Sequence, residues 1–177
     1  MSNLRLINET TVGSSVATVN VTNVFSADFE IYKIVVPQMV TTGTSATDVA
    51  MRLINSGGSV ISDSDAYDYG NRGLLAYNPY QDERDASADS IQKFGQADQE
   101  PEGTSIVSYV FNPFSSSAYT YVMQEDSYRF GSGAGGGKGF GVLHQNVSIK
   151  GFQLLAVTSS NPFTTSKILT YGIRVDT

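Results

Sequence analysis

Residues Phe29–Val36, FEIYKIVV, decide the fold class because apolar side chains occupy both of their faces. In an extended chain, successive side chains point to opposite faces. The two faces consist of Phe29, Ile31 and Val35 on one side and Tyr32, Ile34 and Val36 on the other. A strand with two apolar faces lies in the middle of a sheet that is covered on both sides. We therefore predict a central strand, which Pro37 ends because proline cannot donate a ladder hydrogen bond.

Further stretches of the chain alternate in the same way and are separated by turn-forming Gly, Asn, Ser and Pro. DVAMRLIN runs into SGGS, and VIS follows as the predicted return strand of a hairpin. Later candidates are TSIVSYVF, AYTYVMQE, QLLAV and KILTYGIRV. Eight or nine strands spaced in this way predict an all-β, single-domain β-sandwich over residues 1–177, with jelly-roll or Greek-key connections.

One stretch, residues 77–103, departs from this pattern. Its sequence, YNPYQDERDASADSIQKFGQADQEPEG, is polar, acidic and poor in β-branched residues. We predict one long acidic insertion within the sandwich, because long segments without strand signals are usually functional or mobile loops. DERDASADSIQKF within it also fits a short helix that turns Ile91 and Phe94 inward.

The stretch Gly131–Gly141, GSGAGGGKGFG, holds seven glycines and one lysine, which raises the question of a phosphate-binding loop. A dinucleotide site needs a helix after the glycines and an acidic residue about 20 positions later. No acidic residue follows until Asp176, and a Walker loop would need a hydroxyl residue where Gly139 stands. We predict a flexible loop between two strands, and no cofactor.

The best candidate cation ligands lie in DSDAYDYGN, at Asp63, Asp65 and Asp68. Calcium loops place Asp oxygens at alternating positions and use a glycine at the sharp turn. Asp68 falls one position late, and no glutamate follows at the expected distance. An acidic surface turn is therefore the favoured interpretation, and a calcium loop is the alternative.

Catalytic groups are scarce, since the chain has one histidine, His144, and no cysteine. No local spacing pairs a serine with this histidine as a nucleophile. A carboxylate pair in a glycan-degrading enzyme is one alternative, and its candidates are Asp82, Glu83, Asp85 and Asp89. An acid-rich surface is the favoured interpretation, so we predict that the protein is not an enzyme.

The net charge of −6 disfavours nucleic acid as a partner, because phosphate contacts need clustered Lys and Arg. Twelve acidic and three basic residues lie between positions 61 and 126, whereas five basic residues and one acidic residue lie beyond position 126. Acidic and basic surfaces of neighbouring copies would attract each other in an assembly. No apolar stretch approaches the 18 or so residues of a membrane span, and no secretory signal is visible.

Candidate contact residues are four tyrosines in and before the acidic stretch, and one lysine after it. Exposed tyrosine gives a large contact area at a low entropic cost, which suits the recognition of a protein or glycan. The alternative is that these tyrosines cover the edge of the sandwich. Lys138 begins the basic third of the chain, and we predict that it contacts a neighbouring subunit. The tyrosines are Tyr67, Tyr69, Tyr77 and Tyr80.

Five segments carry a resemblance to a known group of proteins: MSNLRLINETT, FSADFEIYKIVV, YVFNPFSSSAYT, GGGKGFGVL and YGIRV. Together they resemble small virion structural proteins of tailed bacteriophages that infect marine bacteria, cyanobacteria especially. The resemblance covers nearly the full length and carries no catalytic motif. It implies a β-rich component of the virion that is assembled in the host cytoplasm.

These features predict a non-enzymatic module displayed on the outside of the capsid as a decoration or knob. Strand-like sequence runs from Leu4 to Val175 and leaves neither an attachment arm nor a coiled stalk, so the module would dock through its own surface. Its predicted partners are other virion proteins and copies of itself in a homo-oligomer. The alternative is a tail or fibre-tip adhesin that binds a glycan or protein receptor on the host surface.

Overall fold

A computed structural model describes residues 3–42, 46–76, 80–99, 103–130 and 133–174. No helix long and apolar enough to cross a membrane occurs in these ranges. They form twelve β-strands, which confirms the predicted fold class but exceeds the eight or nine strands predicted. The strands are β1 (Leu4–Val12), β2 (Thr18–Val21), β3 (Ile31–Thr41), β4 (Thr47–Asn55), β5 (Tyr67–Leu75), β6 (Gln81–Ala88), β7 (Ile91–Gln99), β8 (Thr104–Phe111), β9 (Thr120–Phe130), β10 (Gly133–Leu143), β11 (Ile149–Ala156) and β12 (Phe163–Ile173).

The strands build two sheets that pack into a sandwich. The large sheet has the order β1-β12-β3-β8-β9-β10-β5-β6, and the small sheet has the order β2-β11-β4-β7. Neighbours within each sheet are antiparallel. A short parallel pairing of two residues joins β7 to β3 at the corner where the sheets meet. The buried apolar side chains of both sheets form one cluster, which is the core.

The strand order is that of a jelly roll with two added hairpins. Two four-stranded sheets, β1-β12-β3-β8 and β2-β11-β4-β7, contain the pairings of two Greek keys. The hairpin β9–β10 is inserted between β8 and β11 in the chain, and β5–β6 is inserted between β4 and β7. Both hairpins join the same edge of the large sheet, so they extend it beyond β8 to twice the width of the small sheet.

The central strand β3 lies between β12 and β8, as its two apolar faces predicted. Tyr32, Ile34 and Val36 are fully buried on its inward face. The strand does not end at Pro37: the ladder to β8 shifts register between Val36 and Met39 and then continues. An irregularity of this kind accommodates a proline, because the missing N–H falls where the ladder is already interrupted.

The stretch 77–103, expected as an acidic insertion with a possible helix, contains β6 and β7 in its described part. The strand β6 is exposed at seven of its eight positions and forms the edge of the large sheet. The strand β7 belongs to the core, since Ile91, Phe94 and Ala97 are fully buried. Pairing with β4 therefore overrides the low strand propensity of these residues.

The glycine stretch, expected as a flexible loop, is strand β10, which pairs with both β9 and β5 along most of its length. Its inward glycines leave room for side chains of the neighbouring strands. A Cβ atom at Gly137 would lie 2.8 Å from the Asp126 carboxylate, and one at Gly141 would lie 2.5 Å from the Ile91 side chain. Glycine is thus required here for close packing. The predicted return strand at VIS is reduced to one bridge between Ile54 and Val60.

Candidate functional site

The outward side of the large sheet carries a row of six large side chains on six strands, which a glycine on a seventh strand ends. An antiparallel sheet with one face in water normally places polar residues on that face. Here the register aligns apolar and aromatic residues from β1 to β10, with one lysine among them. We call this alignment the cross-strand row. Its members are Leu6, Tyr171, Lys33, Tyr109, Met123, Phe140 and Gly70.

The middle of the cross-strand row is strongly exposed. Met123 is 55% and Phe140 is 53% exposed, and Tyr109 is exposed beside them. The Phe140 ring lies over the neighbouring strand, where a Cβ at Gly70 would come within 2.9 Å of it. The Lys33 ammonium lies 5.8 Å from the centre of the Tyr109 ring. Exposed apolar patches of this kind mark contacts with partners.

A groove of about 400 Å³ follows this part of the row and is bordered by charge. Its lining includes Tyr109, Met123 and Phe140, together with Glu125 and Lys138. The last two are exposed and lie directly opposite each other on β9 and β10. An apolar floor beside one acid and one base suits a protein partner that offers the complementary groups.

A second candidate site lies on the inward side, where β7 crosses the added hairpins. The ladder between β4 and β7 shifts register between Val49 and Met51, and within this irregularity Lys93 has φ of 53°. Its ammonium group lies 2.8 Å from Asp48 and 3.3 Å from Glu83. Burial opposes the charge of Lys93, but the two carboxylates outweigh it and raise its pKa. The bulge thus ties the core strand β7 to β4 and to the β5–β6 hairpin.

Asp126 on β9 lines the same cleft. Burial raises its pKa to about 6, and the nearby charge of Asp48 acts in the same direction. The backbone N–H groups of Gly137 and Gln96 donate hydrogen bonds to the carboxylate and so oppose this rise. The cavity beside it has a volume of about 30 Å³, which is room for little more than a water molecule. The cleft is therefore a structural polar cluster, too small for a sugar ring or a nucleotide.

The raised pKa of Asp126 predicts how stability depends on pH. In the folded state the carboxyl holds its proton up to about pH 6, whereas its ordinary pKa is 3.8. Between these values the folded state binds more protons, so its stability falls as the pH rises and levels off above about pH 6. From pH 5 to pH 8 this group is expected to lower the unfolding free energy by on the order of 1 kcal/mol.

Urea denaturation of the wild type and Asp126→Asn at both pH values measures this effect. The unfolding free energy of the variant minus that of the wild type should be larger at pH 8 than at pH 5, by about the same amount. Asp65→Asn, which removes a carboxylate from an exposed turn, controls for the change in net charge. If the unfolding free energies of Asp126→Asn and the wild type differ by the same amount at both pH values, the raised pKa of Asp126 is contradicted.

The three aspartates proposed as calcium ligands have separate partners. Asp68 lies 2.7 Å from His144 Nε2, Asp63 accepts a hydrogen bond from Gln145, and Asp65 accepts one from Ser64. Within the described ranges, no three His, Cys, Asp or Glu side chains lie close enough to hold a metal ion. The turn is therefore held by hydrogen bonds, and His144 contacts Asp68 beside the Tyr119 ring.

Two of the four tyrosines proposed as contact residues lie inside the sandwich, which corrects that interpretation. Tyr67 is fully buried, donates a hydrogen bond to the Ile61 carbonyl at 3.0 Å and accepts one from the Leu53 N–H at 2.8 Å. Tyr69 is buried on the same face of β5, and burial raises its pKa. Tyr80 is exposed and stacks on Arg72, while Tyr77 lies outside the described residues.

The four acidic residues proposed as a catalytic pair point to different surroundings. Asp82 forms an ion pair with Arg72, Glu83 contacts Lys93, and Asp89 forms an ion pair with Arg52. Asp85 accepts a hydrogen bond from the backbone N–H of Ser87. Because β6 alternates, Asp82 and Glu83 lie on opposite faces of the sheet. These four side chains do not face a common groove.

The sequence did not predict the cross-strand row, although the large apolar residues that form it can be seen in two of the predicted strands. TSIVSYVF and AYTYVMQE alternate, but the positions between their buried residues are Val, Tyr, Phe and Met as well as Ser and Glu. Large apolar residues on both faces indicate a strand whose outward face is covered. The alignment of Tyr109 with Met123 and Phe140 depends on register, which the sequence pattern alone does not give.

Comparison with known proteins gives no family. No protein-family model and no curated protein sequence matches this chain. Among solved structures, it is similar to a fructofuranosidase from Schwanniomyces occidentalis complexed with fructosylnystose, with 8% identity and a TM-score of 0.40 over 97% of this chain and 34% of that one. The chain thus spans about a third of the fructofuranosidase.

Two further likenesses are weaker. A human SPRY domain has 7% identity and a TM-score of 0.24, over 96% of this chain and 99% of that one. Infectious bursal disease virus, Gx strain, has 11% identity and a TM-score of 0.16, over 96% of this chain and 40% of that one. Likenesses with such scores carry no information about what this chain binds or does.

Proposed function

We propose that the protein is a non-enzymatic structural component of a bacteriophage virion, displayed on the outside of the capsid as a decoration or knob. The observation that supports this most is the cross-strand row on the outward face of the large sheet. Met123 and Phe140 are about half exposed there, on a sheet face that water would otherwise cover. A jelly roll with such a face is suited to assembly with other proteins. The phage setting rests on the resemblance of the five sequence segments.

The placement of the ionisable groups supports a non-enzymatic role. The residues with catalytic potential are held in structural contacts: His144 by Asp68, Asp82 by Arg72 and Glu83 by Lys93. The polar cleft beside Asp126 has too little volume for a substrate. The groove along the cross-strand row is larger, but its lining is mainly apolar and holds one carboxylate, Glu125.

The alternative, a tail or fibre-tip adhesin, now rests mainly on Tyr80. This residue is 69% exposed and stacks on Arg72, with the ring centre 5.5 Å from the guanidinium carbon. Leu74 is exposed in the same shallow groove at the end of β5. Tyr67 and Tyr69 are not available to a receptor, which leaves this alternative with a smaller aromatic surface than the sequence suggested.

Electron microscopy of particles with and without the gene tests the proposal. We expect heads that lack the protein to lose density from their exterior while the capsid shell remains. Mass spectrometry of purified wild-type particles should detect the chain. Density lost from the tail tip would favour the adhesin. The virion assignment would be overturned if deletion of the gene leaves the particles unchanged and mass spectrometry does not detect the chain in wild-type particles.

A further inference from the structure

We propose that the outward face of the large sheet binds a second copy of this chain. The two copies would pack face to face about a two-fold axis that lies in the interface. This axis would run parallel to β9 and β10, midway between these two strands. This inference deepens the proposed function, because it names the partner of the face on which that function rests. Face-to-face sheets with nearly parallel strands are a common packing in proteins.

The charges beside the row favour a second copy over an unrelated protein. Glu125 on β9 and Lys138 on β10 are register partners, and both are exposed on the outward face. A two-fold axis between the two strands exchanges the positions of β9 and β10. Glu125 of each copy would therefore face Lys138 of the other, and four charges of alternating sign would meet at the centre. The face is complementary to itself without any other partner.

The neighbouring positions on the two strands satisfy the same symmetry. Met123 and Phe140 are also register partners, so each Met123 would face a Phe140 ring of the other copy and fill the groove beside it. One step further out along the row, Tyr109 of one copy would face Gly70 of the other. The Phe140 ring lies over Gly70, so Tyr109 of the second copy would meet that ring at this position.

Of the charges nearer the edge of the face, Arg72 does not oppose this arrangement. Arg72 lies beside Lys138 on β5, but its guanidinium forms a bidentate ion pair with Asp82, with distances of 2.8 and 3.0 Å. Both of these side chains are more than half exposed at the rim. Beyond Gly70 the register continues to Arg84, so Lys33 of one copy would lie opposite Arg84 of the other at the exposed edge of the face. This pair of like charges weakens the association that the central charges favour.

Sedimentation of the purified full-length chain and of charge variants tests the proposal. We expect wild-type protein at micromolar concentration to sediment as a species of twice the 19.0 kDa chain mass. Glu125→Lys and Lys138→Glu should each weaken the dimer at least about tenfold, because like charges then meet across the axis. A mixture of the two variants should form a heterodimer, because positions 125 and 138 are both basic in the first variant and both acidic in the second. The double variant should restore self-association.

Further variants separate the interface from folding. Met123→Lys is expected to abolish the dimer while the variant keeps the circular dichroism spectrum and the cooperative unfolding of a folded chain, because this side chain is exposed. Val157→Lys places the same charge on an exposed apolar residue that follows β11 of the small sheet, and it should leave the dimer intact. A wild-type monomer at 100 micromolar, or a dimer that none of the charge variants weakens, would overturn the inference. If such a monomer is still found in virions, the proposed function stands and only this partner assignment fails.

Discussion

Replacing Phe94 by Ala is expected to lower the unfolding free energy by about 4 kcal/mol, as for other large-to-small changes in a packed core. Phe94 is fully buried in β7, where it belongs to the apolar cluster between the two sheets. Removing the ring would leave a cavity that the surrounding strands can close only in part. Urea denaturation of the wild type and the variant measures the change.

Phe114→Ala is the matched control, because it makes the same substitution at a position that is 40% exposed in a turn. Its expected cost is about 1 kcal/mol or less. The comparison addresses the stretch 77–103, which the sequence pattern presents as an acidic insertion. If Phe94→Ala costs no more than Phe114→Ala, then β7 is not a core strand and the insertion interpretation is correct.

Gly139→Ala is expected to destabilise the protein by about 3 kcal/mol, although it adds a single methyl group. A Cβ at Gly139 would collide with the backbone carbonyl oxygen of Gly70 and lie 2.6 Å from the Gln124 amide nitrogen. The carbonyl belongs to the neighbouring strand β5, so it can move away only if the sheet pairing is distorted. Chemical denaturation measures the loss.

Gly13→Ala provides the control, since nothing lies within 4 Å of a Cβ at Gly13. We expect a change of no more than about 1 kcal/mol there, in either direction. The pair of variants distinguishes a strand from a loop at residues 131–141. A mobile loop would accept alanine at Gly139 as readily as at Gly13, and that result would contradict the assignment of β10.

Alternation in the sequence was sufficient to predict the fold class and the central strand. FEIYKIVV lies in the middle of the large sheet because both of its faces are apolar, and the predicted jelly-roll connections are present. The order of strands was not predictable in this way. The pairing of β1 with β12 joins Leu4 to Ile173, and no local pattern records a contact between residues so far apart in the chain.

The strand β7 was missed for a specific physical reason. Its buried residues Ile91, Phe94 and Ala97 are three positions apart, whereas a regular strand buries every second residue. The irregularity at Lys93, where φ is positive, changes the period locally and makes the stretch resemble a helix in sequence. The lysine that breaks the pattern is also the one that joins β7 to Asp48 and Glu83.

The strand β10 was missed because glycine normally indicates a turn or a loop. In this sheet the space left by its glycines is filled by longer side chains of β9, including Asp126 and Gln124. The sequence shows where a side chain is absent, but not which neighbouring residues fill that space. The cross-strand row could not be predicted for the same reason, since it depends on the register of β8, β9 and β10, which the sequence pattern does not give.

The position of β12 sets a limit on when the protein can fold during its synthesis. This strand is the last of the twelve and pairs with both β1 and β3. Until Ile173 has been made, one edge of β3 stays open and β1 has no partner in the sheet. At the usual rate of translation this interval lasts on the order of ten seconds. The nascent chain therefore presents an apolar, unpaired strand edge for that time, and the large sheet is completed only after β12 has been made.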